Sequence, residues 1–191
     1  MHVTDTALPG VKQIRPIRHG DARGYFAETY RRDVLSANGI DIDFVQDNQA
    51  FSAAVHVLRG LHFQAPPAAQ AKLVRVLRGA IVDVAVDIRA GSPCYGRHVA
   101  VRLTAEEGNQ LFVPEGFAHG YCTLEPGTEV SYKVNRYYSP EHDRGLLWND
   151  PALGVDWGLA GAKPVLSAKD HTHPPLAELP RYFDYAAMAA Q

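Results

Sequence analysis

Short stretches in which apolar and polar residues alternate recur along the chain, and turns rich in glycine and proline separate them. Alternation with a period of two is typical of strands with one buried face, and many such short strands favour an all-β sandwich or barrel. We predict strands over residues 11–17, 24–30, 55–64, 72–78, 80–88, 98–103, 109–113, 119–124 and 129–138. One helix is predicted over residues 32–38, where Gly39 provides the C-terminal stop, and a helical turn is predicted in the tail.

Residues 81–88 give the clearest strand pattern. One face carries only apolar β-branched side chains: Val82, Val84, Val86 and Ile88. The other face carries Asp83 and Asp87, and the alternation assigns the valine face to a core layer. The aspartates then face either solvent, which we favour for an outer strand, or the polar interior of a ligand-holding barrel.

The composition is that of one ordinary globular domain, spanning residues 1–191. The chain has 191 residues, of which 46% are hydrophobic and 21% are charged, which is enough to bury a sizeable core. A formal net charge of −2 provides no basic surface for nucleic acid or membrane. Any anionic ligand must therefore be held by locally clustered arginine and lysine.

The cysteines and the N-terminal residues indicate the cellular compartment of the protein. Cys94 and Cys122 lack disulfide or metal-ligand spacing, which suits a reducing compartment. The first residues show no apolar signal segment, and no apolar run approaches the length of a membrane span. The sequence therefore predicts a cytoplasmic protein.

Three cationic or titratable side chains lie close together in sequence where core residues are expected: Arg59, His62 and Lys72. Burying them costs free energy unless a carboxylate, a metal or an anionic ligand offsets it. A lone histidine is usually structural, but these neighbours make a functional role equally plausible. Alternation puts Arg59 and His62 on opposite faces, unless Gly60 marks a bulge that re-aims one of them.

A second candidate histidine, His119, follows a Pro-x-Gly-x-x spacing that resembles the second motif of cupin barrels. A metal cupin needs further ligands, but Gln64 stands where a second histidine would, and Ala69 or Gln70 stands where a glutamate would. We therefore predict no metal.

Several other side chains each have a structural and a chemical interpretation. Tyr132 is either a packed strand residue or an acid in a cavity, and Asp170 is either a turn residue or a functional carboxylate. Gln46 and Asn48 could cap a turn or bind phosphate and sugar oxygens, and Arg23 is either a surface charge or an anion clamp. The pair His171 and His173 has metal-ligand spacing, but it lies in a proline-rich tail and is predicted to be solvated.

The motifs occur in one order from about residue 11 to 180, and together they resemble the dTDP-4-dehydrorhamnose 3,5-epimerase family. The segments that carry the resemblance are Asp21-x-Arg23-Gly24-x-Phe26-x-Glu28, Gln46-x-Asn48, Arg59-Gly60-Leu61-His62-x-Gln64, Gln70-x-Lys72-Leu73, Asp83-Val84-x-Val86-Asp87-x-Arg89-x-Gly91-Ser92-Pro93, Pro114-x-Gly116-Phe117-x-His119-Gly120, Tyr132-Lys133, Tyr137-Tyr138, Trp148-Asn149-Asp150-Pro151 and Ser167-x-Lys169-Asp170. The resemblance implies a cupin-like jelly-roll β-barrel of two packed antiparallel sheets with a few short helices.

The resemblance also implies an activity. It is the epimerisation at C3 and C5 of dTDP-4-dehydro-6-deoxy-D-glucose to dTDP-4-dehydro-L-rhamnose, in dTDP-L-rhamnose biosynthesis. The implied partner is this dTDP-linked 4-keto-6-deoxyhexose, and no metal or organic cofactor is implied. The family forms homodimers in which the N-terminal strands, about residues 11–30 here, can cross to the partner. A C-terminal tail covers about residues 165–191.

By resemblance, His62 is the base, Asp170 orients it and raises its basicity, Lys72 stabilises the enolate, and Tyr132 returns a proton from the opposite face. The substrate contacts implied in the same way come from Arg23, Phe26, Glu28, Gln46, Asn48, Arg59, Asp83, His119 and Tyr138.

Within that set, the arginines clamp the diphosphate, the two amides add hydrogen bonds, and Asp83 pairs with His119 to help position the sugar. Phe26 and Tyr138 bracket the base, and Glu28 contacts its edge. Arg23, Phe26 and Glu28 would then serve the neighbour's site. One departure is Gln49-Ala50, where many members carry a His-Ser pair.

Three alternatives remain at this stage. A mono-epimerase acting at C3 or C5 alone would keep the same acid and base residues, so the sequence separates it poorly from a double epimerase. A metal-dependent cupin oxygenase lacks its ligand set in this chain. A non-catalytic sugar-nucleotide-binding cupin would not need an acid–base pair.

Overall fold

The computed structural model describes residues 1–189 and consists mainly of two antiparallel sheets. The six-stranded sheet has the strand order β1 (His2–Asp5), β2 (Lys12–Arg15), β11 (Gln110–Val113), β7 (Lys72–Arg78), β13 (Thr128–Val134) and β5 (Gln46–Ser52). The five-stranded sheet has the order β10 (His98–Thr104), β8 (Ala80–Asp87), β12 (Phe117–Thr123), β6 (Leu58–Gln64) and β14 (Asp143–Gly145).

The remaining elements are short. A hairpin is formed by β3 (Arg18–Asp21) and β4 (Gly24–Ala27), and a parallel pair by β9 (Arg89–Ala90) and β15 (Phe183–Asp184). The helices are α1 (Arg32–Ala37) and α2 (Tyr185–Ala189), with 3-10 turns at Pro140–His142, Lys169–His171 and Leu176–Glu178. None of the helices in the described residues is long and apolar enough to cross a membrane.

This architecture confirms the predicted cupin-like jelly-roll class, and each predicted strand overlaps an observed one. The predicted helix is α1, and Gly39 follows it with a φ of +80°. The tail holds two 3-10 turns and α2, as the predicted helical turn requires, although its last two residues lie outside the described residues.

The strand β5 was not predicted, because its alternation is polar. Gln46, Asn48 and Ala50 are half-buried, whereas Asp47 and Gln49 between them are exposed. The partly buried face of β5 carries amides rather than apolar residues, so the hydrophobic pattern gave no strand signal. The amides therefore lie within a strand and do not cap a turn.

The sheets are packed by three apolar layers, one between them and one on the outer face of each. The layer between them includes Val74, Val76 and Ile81. A second layer lies outside the five-stranded sheet and joins Val84 and Val86 of β8 to residues of the C-terminal segment: Leu153, Trp157, Leu179 and Phe183. A third layer packs α1 and its following loop against the six-stranded sheet.

The C-terminal cover explains why the solvent prediction for Asp83 and Asp87 is wrong. Both aspartates are fully buried, because the valine face of β8 is covered by the tail and the aspartate face looks into the barrel. Asp87 is paired with Arg89 at 2.6 Å and accepts a hydrogen bond from the Ser92 hydroxyl at 2.6 Å. The competing interpretation, a polar barrel interior, is therefore confirmed.

The predicted bulge is present at Gly60. In the register between β6 and β12, His62 lies opposite His119 and Arg59 lies opposite Tyr121, so three steps on β6 match two steps on β12. This extra residue turns Arg59 and His62 toward the same side of the sheet. Gly60 has a φ of +138°, and a Cβ there would lie 2.6 Å from the Cα of Gly120.

We predict that Gly60→Ala lowers the free energy of unfolding by roughly 3 kcal/mol, because it adds a backbone clash to the strain of positive φ. Gly91→Ala is the matched control, since Gly91 has a φ of +83° and nothing within 4 Å of a Cβ. The control should lose only about 1–2 kcal/mol. Urea unfolding measures both, and equal losses would show that close packing at Gly60 is unimportant.

Candidate active site

A cavity of about 460 Å³ opens between the two sheets. Its wall on the five-stranded sheet carries Arg59 and His62 from β6 and His119 and Tyr121 from β12. The facing wall carries Lys72 from β7 and Tyr132 from β13, and the tail closes one side with residues 165–167, Lys169 and Asp170. The three cationic or titratable residues that are close in sequence, Arg59, His62 and Lys72, therefore line one polar cavity.

His62 is held from behind by Asp170. Its Nε2 lies 2.5 Å from Oδ1 of Asp170, which is 1% exposed, and the Ser167 hydroxyl donates to Oδ2 at 2.7 Å. Because a carboxylate only accepts, Nε2 carries the proton, and Nδ1 is left as the basic ring nitrogen.

Burial and hydrogen bonding act in opposite directions on this pair. Burial lowers the pKa of His62 below its ordinary value, and this outweighs the opposing effect of the Asp170 carboxylate. Burial alone would raise the pKa of Asp170, but contacts from His173, His62 and Ser167 bring it below the ordinary value. At neutral pH the pair is therefore a neutral imidazole on an ionised carboxylate, which is the form that can accept a proton.

A second histidine–aspartate pair lies beside the first. Nε2 of His119 is 2.8 Å from Oδ1 of Asp83, as the resemblance implies, and both side chains are almost completely buried. Oδ2 of Asp83 and the hydroxyl of Tyr121 make no hydrogen bond within residues 1–189, so this corner of the cavity retains unused polar groups.

The facing wall supplies a cation and a phenol. Burial lowers the pKa of Lys72 to about 8, and nearby Asp83 and Asp143 oppose that shift. Burial also raises the pKa of Tyr132, although Arg59 and Lys169 oppose that shift. Near neutral pH, Tyr132 therefore holds its proton and most Lys72 side chains remain charged.

An adjoining hollow of about 210 Å³ shares His62, Lys72 and Tyr132 with the cavity. It contains three predicted substrate contacts: Gln46, Asn48 and Tyr138. Gln46 donates to Asn48 at 2.7 Å, so the two amides form one unit. Tyr138 is 56% exposed, and its hydroxyl donates to Asp143 at 3.2 Å.

Three predicted residues are not brought to the cavity by this chain. Arg23 lies at the tip of the β3–β4 hairpin, is 90% exposed and pairs with Asp21. Phe26 is 67% exposed, and Glu28 faces Arg31. None of the three lines either hollow.

Sequence reasoning missed several residues of the site. Tyr121 shares a strand face with His119, so alternation could have identified it. Lys169 lines both hollows and pairs with Asp143 at 2.9 Å, a contact that no local pattern signals.

The tail histidines give one correction. His171 is exposed as predicted, but the prediction that His173 is solvated is wrong. Its side chain is 15% exposed and lies 3.7 Å from Oδ1 of Asp170. The 3-10 turn Lys169–His171 folds this part of the tail against β6, which carries it to the cavity wall.

Comparison with known proteins agrees with this geometry. The family model for dTDP-4-dehydrorhamnose 3,5-epimerase matches residues 5–178. A dTDP-4-dehydrorhamnose 3,5-epimerase from Sinorhizobium fredii is 51% identical over 97% of this chain and 94% of its own length.

Solved structures show the same fold. The dTDP-6-deoxy-D-glucose-3,5-epimerase of Legionella pneumophila, in complex with dTDP-4-keto-L-rhamnose, superposes with a TM-score of 0.91 at 40% identity over 96% of this chain and 98% of that one. A 3'-monoepimerase of Streptomyces bikiniensis, in complex with dTDP-quinovose, has a TM-score of 0.90 at 32% identity over 97% and 95%.

One assignment follows from the two histidine–aspartate pairs, from the lysine and tyrosine on the facing wall, and from a family match across nearly the whole chain. This chain belongs to the dTDP-4-dehydrorhamnose 3,5-epimerase family.

Proposed function

We propose that the cavity epimerises dTDP-4-dehydro-6-deoxy-D-glucose at C3 and C5, with His62 removing protons on one face of the sugar and Tyr132 returning them on the other. The overall activity is that of the family, an isomerase that yields dTDP-4-dehydro-L-rhamnose on the route to dTDP-L-rhamnose. The observation that carries the proposal is the placement of His62 and Tyr132 on the two facing sheets.

The first step is proton abstraction. The C4 ketone acidifies the protons at C3 and C5, because the electron pair released at either carbon is delocalised onto the ketone oxygen. Nδ1 of His62 accepts the proton, and Asp170 stabilises the imidazolium that forms. The ammonium of Lys72 stabilises the enolate oxygen, where negative charge develops, from within a buried wall of the cavity.

The second step inverts the carbon. The enolate carbon is planar, so the face that receives the new proton decides the configuration. Tyr132 is on the six-stranded sheet and His62 is on the five-stranded sheet, so a sugar lying between them meets a base on one face and an acid on the other. Substrate and product are isomers, so no oxidant, reductant or cofactor is needed. After each inversion the His62 imidazolium releases its proton to solvent and the Tyr132 phenolate takes one up, which restores both groups for the next carbon.

The nucleotide diphosphate lies toward the mouth of the cavity in this proposal. Arg59 pairs with the diphosphate, and His119, held by Asp83, helps to position the sugar. Gln46 and Asn48 donate hydrogen bonds from the adjoining hollow, and the exposed ring of Tyr138 is available to stack on the nucleotide base.

The exposed β3–β4 hairpin supports a homodimer. Tyr25 and Phe26 are 61% and 67% exposed, an unusual state for adjacent aromatic residues, and within residues 1–189 β3 and β4 pair only with each other. In a symmetric pair the hairpin would supply Arg23, Phe26 and Glu28 to the partner's nucleotide site. The enzyme would work in the cytoplasm, on a substrate that carries the charge of a nucleotide diphosphate.

The number of carbons that exchange distinguishes this function from mono-epimerisation. With substrate in heavy water, we expect deuterium at both C3 and C5 of the sugar, read by mass and NMR. His62→Ala should slow incorporation at both positions by about 10²–10⁴-fold, since it removes the general base. Label at one carbon would establish a mono-epimerase, and no label would exclude this chemistry on this substrate.

The matched control is His98→Ala. His98 lies on β10 of the same sheet but lines neither hollow. It should incorporate label at the rate of the unsubstituted enzyme. Equal loss in both variants would mean that the effect is a general loss of fold rather than of the base.

Mixed dimers test whether the hairpin serves the partner's site. We expect Arg23→Glu and His62→Ala to be poorly active alone but to recover activity when co-refolded, because one site of each heterodimer then has both intact residues. Random pairing predicts recovery to about a quarter of unsubstituted activity for a symmetric dimer. Mixing His62→Ala with Tyr132→Phe is the control and should recover nothing. No recovery with Arg23→Glu would place Arg23 in the site of its own chain.

A further inference from the structure

Behind the wall of the cavity, three side chains with metal-ligating atoms converge. The ligand atoms of His62, Asp170 and His173 all lie within 4.8 Å of one another. Nε2 of His62 is 2.5 Å from Oδ1 of Asp170, and Nε2 of His173 is 3.7 Å from the same oxygen. The proposed proton transfers use His62 and the Asp170 behind it, and His173 takes part only through its contact with Asp170.

The backbone is shaped to admit the ring of His173. Gly145 of β14 pairs with His62 in the sheet register, and a Cβ on Gly145 would collide with the His173 imidazole. The two imidazole rings meet edge to face, with centroids 5.6 Å apart. His173 is therefore packed in one place beside the catalytic pair.

The ring nitrogen that faces Asp170 makes no hydrogen bond of normal length. Nε2 of His173 is buried, lies 3.7 Å from Oδ1 of Asp170 and forms no hydrogen bond within residues 1–189. Burying an imidazole nitrogen in this state costs free energy, and an ion bound between the two atoms would offset that cost. Two imidazoles and a carboxylate around one point are ligands suited to zinc and similar ions.

We propose that His62, Asp170 and His173 form an inhibitory site for a divalent transition-metal ion such as Zn²⁺. Zinc bonds to nitrogen and oxygen of about 2.0–2.2 Å put tetrahedral ligand atoms about 3.3 Å apart. The distances of 2.5 Å and 3.7 Å to Oδ1 of Asp170 lie on either side of that spacing. Side-chain shifts of about 1 Å would therefore complete the set, with a fourth position left for water.

The nearby charges allow an ion at this point. Both carboxylate oxygens of Asp170 act as acceptors, with Oδ1 facing His62 at 2.5 Å and Oδ2 accepting from the Ser167 hydroxyl at 2.7 Å. Lys169 is the adjacent cation, but its ammonium is paired with Asp143 at 2.9 Å and is half exposed. The carboxylate is therefore available to offset part of the charge of the ion.

Metal binding at this site would stop the epimerase by a defined route. The ion replaces the proton on Nε2 of His62, and that proton is released to solvent. The imidazole then loses its hydrogen bond to Asp170 and is bound to a cation, so Nδ1 becomes a weaker base. The site is thus an inhibitory metal site, and the bound ion takes no part in catalysis.

Cobalt titration of the full-length protein tests the proposal directly. We expect one equivalent of Co²⁺ to give the intense visible absorption of a four- or five-coordinate site, to be displaced by Zn²⁺, and to be removed by EDTA. Epimerase activity should fall as the band appears and return with EDTA. A weak octahedral spectrum, or inhibition that does not follow the band, would overturn the site.

Variants in the tail identify the ligand. His173→Ala should abolish the band and weaken Zn²⁺ binding by at least about tenfold, since even groups outside the ligand set contribute about 10–100-fold. His171→Ala is the matched control, because His171 is an exposed histidine of the same segment and should bind as the unsubstituted protein does.

His173→Gln fills more of the ring volume and should behave like His173→Ala, which separates ligand loss from a packing defect. Each variant is compared with its own metal-free activity. Unchanged Co²⁺ spectra and Zn²⁺ inhibition in both His173 variants would show that His173 is not a ligand.

Discussion

The hydrogen bond between His62 and Asp170 is the interaction on which the site depends. It joins the centre of β6 to a tail residue more than one hundred positions later, and it fixes which ring nitrogen is free to act as a base. Asp170 is buried at 1% exposure, and contacts from His173, His62 and Ser167 offset the cost of burying its charge. The tail therefore covers the outer face of the five-stranded sheet and also supplies the carboxylate that holds the proposed base.

The two-sheet architecture places this pair on one wall of the cavity and the proposed acid on the other, which is the arrangement that inversion of a carbon requires. A bulge at Gly60 brings Arg59 to the same face as His62, so the proposed diphosphate clamp and the proposed base share one wall. Lys72 and Tyr132 stand on the other wall, and burial keeps the phenol protonated while it makes the imidazole neutral. Each group is thereby held in the protonation state that its proposed role requires.

The alternation of apolar and polar residues predicted many of the strands, but it failed where parts of the chain that are distant in sequence come into contact. The strands with apolar faces and the bulge at Gly60 could be inferred from the pattern, whereas the His119–Asp83 pair was implied only by the family resemblance. The polar strand β5 could not, because the cavity replaces its apolar face with amides. The burial of Asp83 and Asp87 and the position of His173 depend on how the tail folds back, which no periodicity encodes.

The central claim is that proton removal and return occur on opposite walls, and Tyr132→Phe tests it most directly. With labelled substrate in heavy water, we expect this variant to exchange protons at C3 and C5 while losing most net inversion. Tyr121→Phe changes a tyrosine on the wall of His62, so inversion should persist there. Inversion at an undiminished rate in Tyr132→Phe, or its loss in Tyr121→Phe alone, would contradict the account.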